Sequence, residues 1–387
     1  MDSRLSKTMI GILAVLVGIN LRPIMASIGP LLGVLQTDLA LSSAQASLLT
    51  TLPVMMMGLF ALAGPWLQGW IGENKGIAMG LLLIAVASGA RAYIDGSSSL
   101  IATAALGGIG IAVTQALMPA FLKRNYPQSA GTLMGLFTTG IMAGAAIASA
   151  SAAPSADVLG WRMTLGMAAF PAIIAFGVWV MSVNDHRPQA NKARLPIKSS
   201  RAWLLMAFFG IGTGAYTLVL AWLPPYYIEL GWPASNAGYL LGALTLTEVL
   251  AGLFVSAIIH RFPDRRGPLA LVIILVIAGL GCLIAAPLAL VVPATILLGL
   301  GIGALFPLSL IVTLDHASSP AEAGSLLAFV QGGGYLIAGT MPFLAGVLRD
   351  ELASLRLAWV GMAIAVAILL ILCRHFAPLR SVSASRT

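Results

Sequence analysis

Long apolar runs follow one another along this chain of 387 residues, and each contains very few charged side chains. Only 9% of the residues are charged, whereas soluble domains contain about 25%. A helix needs roughly 20 apolar residues to cross a bilayer. The sequence therefore predicts an all-α integral membrane protein, and it argues against a soluble enzyme, a nucleic-acid-binding protein and a disordered scaffold.

Twelve transmembrane helices fit the chain length, because that division leaves about 32 residues for each span and its loop. The predicted spans are 8–32, 44–67, 76–94, 99–121, 130–152, 161–182, 202–224, 234–259, 268–288, 291–313, 323–347 and 355–376. The longest polar connection lies near the middle of the chain. It predicts an N-terminal six-helix bundle at 1–183, a basic cytoplasmic linker at 184–201 and a C-terminal six-helix bundle at 202–387.

Most of the 21 lysines and arginines fall in loops on one side of this topology. Because basic residues accumulate in cytoplasmic loops, the bias predicts a multi-pass membrane protein with both termini in the cytoplasm. It also explains the net charge of +8 without nucleic acid as a partner. The partner that it implies is the lipid bilayer.

The two predicted halves share short sequence echoes at nearly constant spacing. The segment 108–111 (Gly-Ile-Gly-Ile) recurs as 299–302 (Gly-Leu-Gly-Ile), and 130–133 (Ala-Gly-Thr-Leu) recurs as 323–326 (Ala-Gly-Ser-Leu). Each echo falls on corresponding helices, which indicates a parallel six-plus-six repeat. Such repeats build transporters whose substrate site lies between the halves near the middle of the membrane.

Arg22 lies about 14 residues into the first span, roughly 20 Å along a helix. A charge at that depth costs at least about 2.5–3.5 kcal/mol, so intramembrane ionisable residues usually have a function. The guanidinium is a planar fork of donors that suits a small oxyanion or carboxylate-like group. Arg22 is therefore an anion-anchor candidate; the alternative is a strut between helices, paired with a carboxylate or with carbonyls.

Glu248 is the one acid at comparable depth, near the middle of span 8. Burial raises the pKa of a carboxyl group, so this residue is a candidate for proton coupling. It could equally be a static partner of Arg22, or a helix-contact residue that always carries its proton. The sequence does not decide among these three interpretations.

Neutral polar and aromatic side chains inside the spans complete the candidate substrate site: Asn20, Gln115, Tyr216, Trp222, Gln331 and Tyr335. Hydrogen bonding between helices is the alternative for each of them, and Trp222 could instead belong to an interfacial aromatic belt. On a continuous helix, Asn20 and Arg22 point about 200° apart. Both can face one cavity only if Pro23 distorts the turn.

Catalytic and metal-binding motifs are not apparent in the sequence. The four histidines fall in separate loops on the predicted cytoplasmic side, and the two cysteines lie inside apolar runs. A phosphate-cradling Walker sequence is also missing. We therefore expect no enzyme activity, no catalytic residue, no metal and no cofactor, and we expect transport to be driven by a gradient.

The predicted twelve spans, basic central loop and parallel halves resemble the major facilitator superfamily. Its common loop signature after span 2 is a glycine followed by Asp-Arg and a basic pair. The segment 64–75 keeps a glycine and one cation but lacks the acid, whereas the counterpart after span 8 keeps Asp264, Arg265 and Arg266. The resemblance implies a fold of two six-helix parallel-repeat halves and a cytoplasmic gate at Asp264, Arg265, Arg266, Asp315 and His316.

Within that superfamily, nearly the whole chain is similar to the cyanate transporter branch. The similarity is carried by 20–23 (Asn-Leu-Arg-Pro), 29–30 (Gly-Pro), 49–53 (Leu-Thr-Thr-Leu-Pro), 115–119 (Gln-Ala-Leu-Met-Pro), 221–224 (Ala-Trp-Leu-Pro), 306–307 (Phe-Pro), 314–316 (Leu-Asp-His) and 328–331 (Ala-Phe-Val-Gln). Arg22 and Gln331 belong to the shared pattern, and Glu248 does not.

The resemblance implies transport of cyanate, or a similarly small anion, across the cell inner membrane. We expect the mechanism to be alternating access, in which the two halves rock around a site at the middle of the membrane. Proton cotransport or exchange, with bicarbonate as a candidate counter-ion, would supply the driving force. One buried cation among few other charges also suits a monovalent anion. The alternative is export of small drugs such as nitroimidazoles, and a monomer is expected in either case.

Overall fold

A computed structural model of the chain describes residues 6–183, 195–317 and 320–376. The fourteen helices of these residues are α1 (Lys7–Ile19), α2 (Pro23–Ala26), α3 (Ile28–Leu39), α4 (Ser43–Trp70), α5 (Glu73–Ala90), α6 (Ser97–Asn125), α7 (Ala130–Gly166), α8 (Ala169–Ser182), α9 (Ser200–Glu229), α10 (Ala234–Ile258), α11 (Arg266–Ala285), α12 (Val291–Asp315), α13 (Pro320–Leu352) and α14 (Arg356–Cys373). The predicted all-α class is confirmed. Residues 184–194 of the predicted linker lie outside the described residues.

The first predicted span is not one helix. It is divided into α1, α2 and α3, with breaks at residues 20–22 and at Ser27. Pro23 has no N–H, so the carbonyl of Ile19 loses the partner that a continuous helix would give it, and the helix ends there. The predicted span 8–32 is therefore made of three helices and not one, and Pro23 occupies the first position of α2.

The fifth and sixth predicted spans lie in one continuous apolar stretch of sequence. Eleven segments of the described residues are long and apolar enough to cross a membrane, and one of them, Pro127–Ser182, has 56 residues, which is enough for two crossings. The helical geometry is interrupted at Gly160, with φ +76° and ψ 157°. That conformation favours glycine, and the kink separates the two spans.

The packing of the helices repeats between the two halves. In the first half α4 and α5 pack against α6, α1 packs against α7, and α5 packs against α8; in the second half α10 and α11 pack against α12, α9 packs against α13, and α11 packs against α14. Each contact recurs six spans later, as a parallel repeat requires. The predicted fold of two six-helix halves is thus confirmed.

The two halves meet mainly along two helix pairs, α4 with α13 and α7 with α10. Glycines allow the backbones to approach closely there. A Cβ atom on Gly58 would lie 2.7 Å from the carbonyl oxygen of Gly332, and one on Gly238 would lie 2.4 Å from that of Ser149. The outward faces of the helices carry large exposed apolar side chains, such as Met181 and Val158, as expected for lipid contact.

Candidate functional site

The break after α1 places Arg22 outside regular helix. Asn20 caps α1 with its backbone N–H, and its side-chain Nδ2 donates to the carbonyl of Leu16 at 2.7 Å. Arg22 then precedes the four-residue helix α2. The 200° separation between Asn20 and Arg22 assumes a continuous helix, so the constraint that it placed on the site does not apply.

Arg22 is buried, with 5% of its surface exposed. Its Nη1 donates to the Sδ of Met57 at 3.3 Å, and its Nε is buried without a hydrogen-bond partner among the described residues. The guanidinium carbon lies 5.8 Å from the centre of the Tyr216 ring. A thioether is a weak acceptor, so most of the hydrogen-bonding capacity of this cation remains available.

Glu248 lies on α10 and is 4% exposed. Neither carboxyl oxygen has a hydrogen-bond partner among the described residues, although Glu248 is close enough to Arg22 for their charges to interact. The static ion pair that the sequence allowed is therefore absent from this arrangement. Gly303 of α12 lets the backbone of α10 approach closely at Glu248, since a Cβ atom on Gly303 would lie 2.3 Å from the Glu248 carbonyl oxygen.

Other predicted site residues meet across the two halves. Gln115 of α6 donates from its Nε2 to the hydroxyl oxygen of Tyr335 of α13 at 3.0 Å. Gln331 lies one turn before Tyr335 and is half-buried. The hydroxyl group of Tyr216 is buried and makes no hydrogen bond of regular geometry among the described residues, although it lies close to the Arg22 guanidinium. The charge of Arg22 also acts on Tyr335.

Trp222 lies in a different environment. Its Nε1 donates to the carbonyl of Pro342 at 2.9 Å, and the Arg349 guanidinium lies 5.4 Å from its ring centre. With 1% of its surface exposed, Trp222 has no lipid-facing surface, which a belt residue needs. No described contact joins it to Arg22.

The five residues predicted to form a cytoplasmic gate make their described contacts within the second half, and four of them form two ion pairs. Arg265 donates from Nε to Asp315 at 2.9 Å, and Arg266 pairs with Asp264 at 2.6 Å. The hydrogen bonds from Arg266 hold the pKa of the Asp264 carboxyl below its usual value, so the carboxylate stays ionised at neutral pH. His316 contacts the carbonyl of Val312 at 2.7 Å through Nδ1.

The first half also has an acidic residue in the loop after span 2, although not in the Asp-Arg pair of the loop signature. Glu73 is buried at the start of α5, pairs with Arg124 at 2.5 Å and accepts a hydrogen bond from Gln68 at 2.7 Å. This pair joins α5 to the end of α6. Because Glu73 lies nine residues after Gly64 and is followed by Asn74, it does not form the Asp-Arg pair of the loop signature.

A further group of polar residues, the Arg349 cluster, joins the halves at the opposite end of the bundle. Its members are Gln36, Ser43, Ala44, Glu229, Arg349 and Asp350. Asp350 accepts from the backbone N–H groups of Ser43 and Ala44, both at 2.8 Å, at the start of α4. Arg349 pairs with Glu229 at 2.6 Å and donates to Gln36 at 3.1 Å. These bonds join the two halves at this end of the bundle.

The central residues form a site that can complement one negative charge. Arg22 supplies the cation, and Gln115, Tyr216 and Tyr335 supply groups that can donate or accept hydrogen bonds. Glu248 supplies a carboxyl group that can bind a proton. Met57 is the member that sequence reasoning missed, since an apolar residue in an apolar span gives no signal of its own.

Comparison with known proteins agrees with the fold. The sequence profile described as Major Facilitator Superfamily matches residues 9–325. The chain is 38% identical to the cyanate transport protein CynX of Escherichia coli (strain K12) over 95% of this chain and 96% of that protein. It is 31% identical to the 2-nitroimidazole transporter of the same organism, covering 90% of each chain.

A solved structure extends the agreement to three dimensions. The crystal structure of a D-xylose-proton symporter superimposes with a TM-score of 0.79 over 96% of this chain and 98% of that one. Because the two sequences are 14% identical, this likeness establishes the fold alone.

Proposed function

Because this chain belongs to the Major Facilitator Superfamily, we propose that its central site carries a small monovalent anion, cyanate or one of similar size, across the membrane. The observation that supports the proposal most strongly is the burial of Arg22. This cation is buried between the halves without a carboxylate partner, and a buried charge is stable only when something compensates it. An anion held by the planar guanidinium would do so.

The size and charge of the substrate follow from the surroundings of Arg22. Glu248 is the acid whose charge acts on it, and one cation matches one negative charge. The two tyrosines and Gln115 would orient the anion. The cyanate transport protein, 38% identical over nearly the full chain, supports cyanate as the first substrate to test.

Glu248 is the residue that we propose couples transport to protons. If Arg22 and Glu248 are both ionised, their charges sum to zero, and a bound anion adds an excess negative charge. Protonation of Glu248 removes that excess, so anion and proton would move together. The pair is electroneutral and avoids the cost of about 2.3 kcal/mol per 100 mV that a lone anion meets when entering against an inside-negative potential.

Alternating access between the two halves, 1–183 and 202–387, would expose this site to each side in turn. The Arg349 cluster joins the two halves at the end of the bundle that, by the distribution of basic residues, faces outward in a cell inner membrane. We propose a monomer, since each chain contains both halves.

Uptake into proteoliposomes tests the proposed substrate. Vesicles containing the wild type, Arg22→Gln or Arg22→Lys receive labelled cyanate with a proton gradient or with internal bicarbonate as the driver. Saturable uptake by the wild type, its loss in Arg22→Gln and a partial loss in Arg22→Lys are expected. A fully active Arg22→Gln protein would exclude Arg22 as the anchor, and a wild type that takes up no cyanate with either driver would exclude cyanate.

Export of nitroimidazoles is the second candidate, favoured by the 31% identity to the 2-nitroimidazole transporter. The Tyr335 ring lies edge-on to Phe209 at 5.4 Å, and Tyr216 lies under Arg22, so planar heterocycles would find aromatic partners in this site. Cells expressing the protein would then resist 2-nitroimidazole, and Arg22→Gln would retain that resistance where the neutral form of the drug is the species exported.

A further inference from the structure

The break in the first span, which places Arg22 outside regular helix, also leaves backbone carbonyl groups without their helical hydrogen-bond donors. Helix α2 has four residues, and the last four carbonyls of a helix have no partner within it. In a continuous helix, the carbonyl of Ile24 would accept from the N–H of Ile28. The chain turns at Ser27 instead, so this buried carbonyl needs another donor.

Arg91 is that donor. It follows the end of α5, is 1% exposed, and donates from Nη1 to the carbonyl oxygen of Ile24 at 2.8 Å. Its Nε donates to the hydroxyl oxygen of Thr103 on α6 at 3.1 Å. The guanidinium thus connects α5, α6 and the broken first span, and it reaches that span two residues after Arg22.

The side chain of Ile24 is held on the same surface. It is 2% exposed, and its Cδ1 lies 2.1 Å from the place where a Cβ atom on Gly107 would stand. A Cβ atom at Gly107 would therefore require the end of the Ile24 side chain to shift. Arg91 holds the backbone of Ile24, and the side chain of Ile24 packs in the space that Gly107 leaves on α6.

We propose that Arg91 is a positioning residue for Arg22. It fixes the broken segment so that the Arg22 guanidinium faces the second half of the protein at the height of Tyr216. The inference rests on the proposed function of Arg22 as an anion anchor. We place Arg91 behind the site and not in it, because its hydrogen bonds are to Ile24 and Thr103 inside the first half; its Nη2 is buried without a partner among the described residues.

The test compares Arg91→Met with a control of the same chemistry. Arg162 also donates from Nε to a backbone carbonyl, that of Ile94, at 2.7 Å. Its ion pairs are with Asp95 at 3.7 Å and with Asp38 at 3.9 Å, and Asp38 lies at the end of α3, sixteen residues after Arg22. We expect Arg91→Met to raise the KM for labelled cyanate uptake about tenfold or more, because small displacements at a binding site have large effects. Arg91→Lys, which can donate to one acceptor, should restore part of the affinity, and Arg162→Met should leave KM unchanged.

A merely structural role would lower the amount of folded protein or the maximal rate and leave KM at the wild-type value, and that outcome would overturn the proposal. If Arg91→Met does not fold, Thr103→Val replaces it, since this isosteric change removes the acceptor of the Nε bond. Thr103→Val should raise KM in the same direction. An unchanged KM with a normal maximal rate would contradict the positioning role.

A second measurement does not depend on the substrate. In a protein with Cys282→Ser and Cys373→Ser, Arg22→Cys is labelled with 2-aminoethyl methanethiosulfonate, with Arg91 either present or replaced by Met. Loss of Arg91 should loosen the segment and speed labelling about threefold or more, as local opening does. Equal rates would overturn the positioning role even if the wild type does not transport cyanate, whereas absent uptake with a changed labelling rate would refute the substrate alone.

Discussion

At the scale of single residues, the site depends on groups that are buried without strong partners. Arg22 has the Met57 sulfur as its hydrogen-bond partner, and Glu248 has none among the described residues. Each group would be costly if it never met a partner, since an unsatisfied buried polar group costs about 1–3 kcal/mol. A transported anion and a proton are the partners that the proposed cycle provides.

Met57 offers a direct way to alter the availability of Arg22. Met57→Gln places a strong acceptor near the guanidinium, which would compete with the anion and weaken its binding about tenfold, equivalent to about 1.4 kcal/mol. Met57→Leu keeps a similar volume and removes the weak acceptor, so binding should be equal to or tighter than that of the wild type. The KM of cyanate uptake measures both changes, and equal KM values for the two variants would contradict this role of Met57.

Glu248→Gln separates proton coupling from anion binding. The amide cannot bind and release a proton, while Arg22 remains in place. With coupling of one proton per anion, a gradient of one pH unit supplies about 1.4 kcal/mol and accumulates the anion about tenfold. We expect Glu248→Gln to lose this accumulation and to keep exchange of labelled for unlabelled anion. Retained proton-driven accumulation would show that another group carries the proton.

At the scale of elements, the broken first span determines where the polar groups lie, and close helix contacts hold it there. A Cβ atom on Gly144 of α7 would lie 2.1 Å from the carbonyl oxygen of Ile19, the last residue of α1. Backbone cannot move aside as a flexible side chain can. The end of α1, and with it Asn20 and Arg22, is therefore fixed by its contact with α7.

Gly144→Ala should force α1 and α7 apart. Overpacking of this kind destabilises proteins by about 1–3 kcal/mol, so the thermal unfolding midpoint in detergent should fall. Gly135→Ala is the matched control, because it lies in the same helix and a Cβ atom there meets nothing within 4 Å. Alanine at that position should leave the midpoint unchanged or raise it, since alanine favours helix over glycine. Equal midpoints for the two variants would refute the contact.

The number of spans and the repeat of six spans in each half could be predicted from the sequence, because apolar length and repeat spacing are properties of the chain itself. Arg22 and Glu248 could be singled out for the same reason, since a charge inside an apolar run is visible. The break at residues 20–22 was only partly visible, as Pro23 indicated a distortion without its form. Met57, Glu73 and Asp350 could not be found, because their roles come from contacts with residues distant in sequence.

At the scale of the whole molecule, the Arg349 cluster joins the two halves at one end of the bundle. Asp350 satisfies two of the N–H groups at the start of α4, which a helix leaves without partners of its own, and the helix dipole adds to the attraction. Transport by alternating access requires these bonds to break when the other face of the site opens. Their strength therefore sets the balance between the two states.

Asp350→Asn should shift that balance toward opening at this end. Hydrogen bonds to a charged group contribute about 1.5–3 kcal/mol, so labelling of a buried cysteine nearby should accelerate about tenfold or more. Ser47→Cys, on α4 and 3% exposed in the wild type, is a suitable reporter once Cys282 and Cys373 are replaced by Ser. Glu351→Gln, an exposed neighbour, is the control, and equal labelling of the two variants would show that Asp350 does not hold this end closed.

Equilibrium binding of labelled cyanate to the purified protein tests the central claim most directly. Wild type, Arg22→Gln and Glu248→Gln are dialysed against the anion, and label that survives denaturing gel filtration is subtracted as covalent carbamylation. We predict one site per chain in the wild type, no saturable binding in Arg22→Gln, and binding in Glu248→Gln. Equal saturable binding by the wild type and Arg22→Gln would contradict the assignment of Arg22 as the anion anchor.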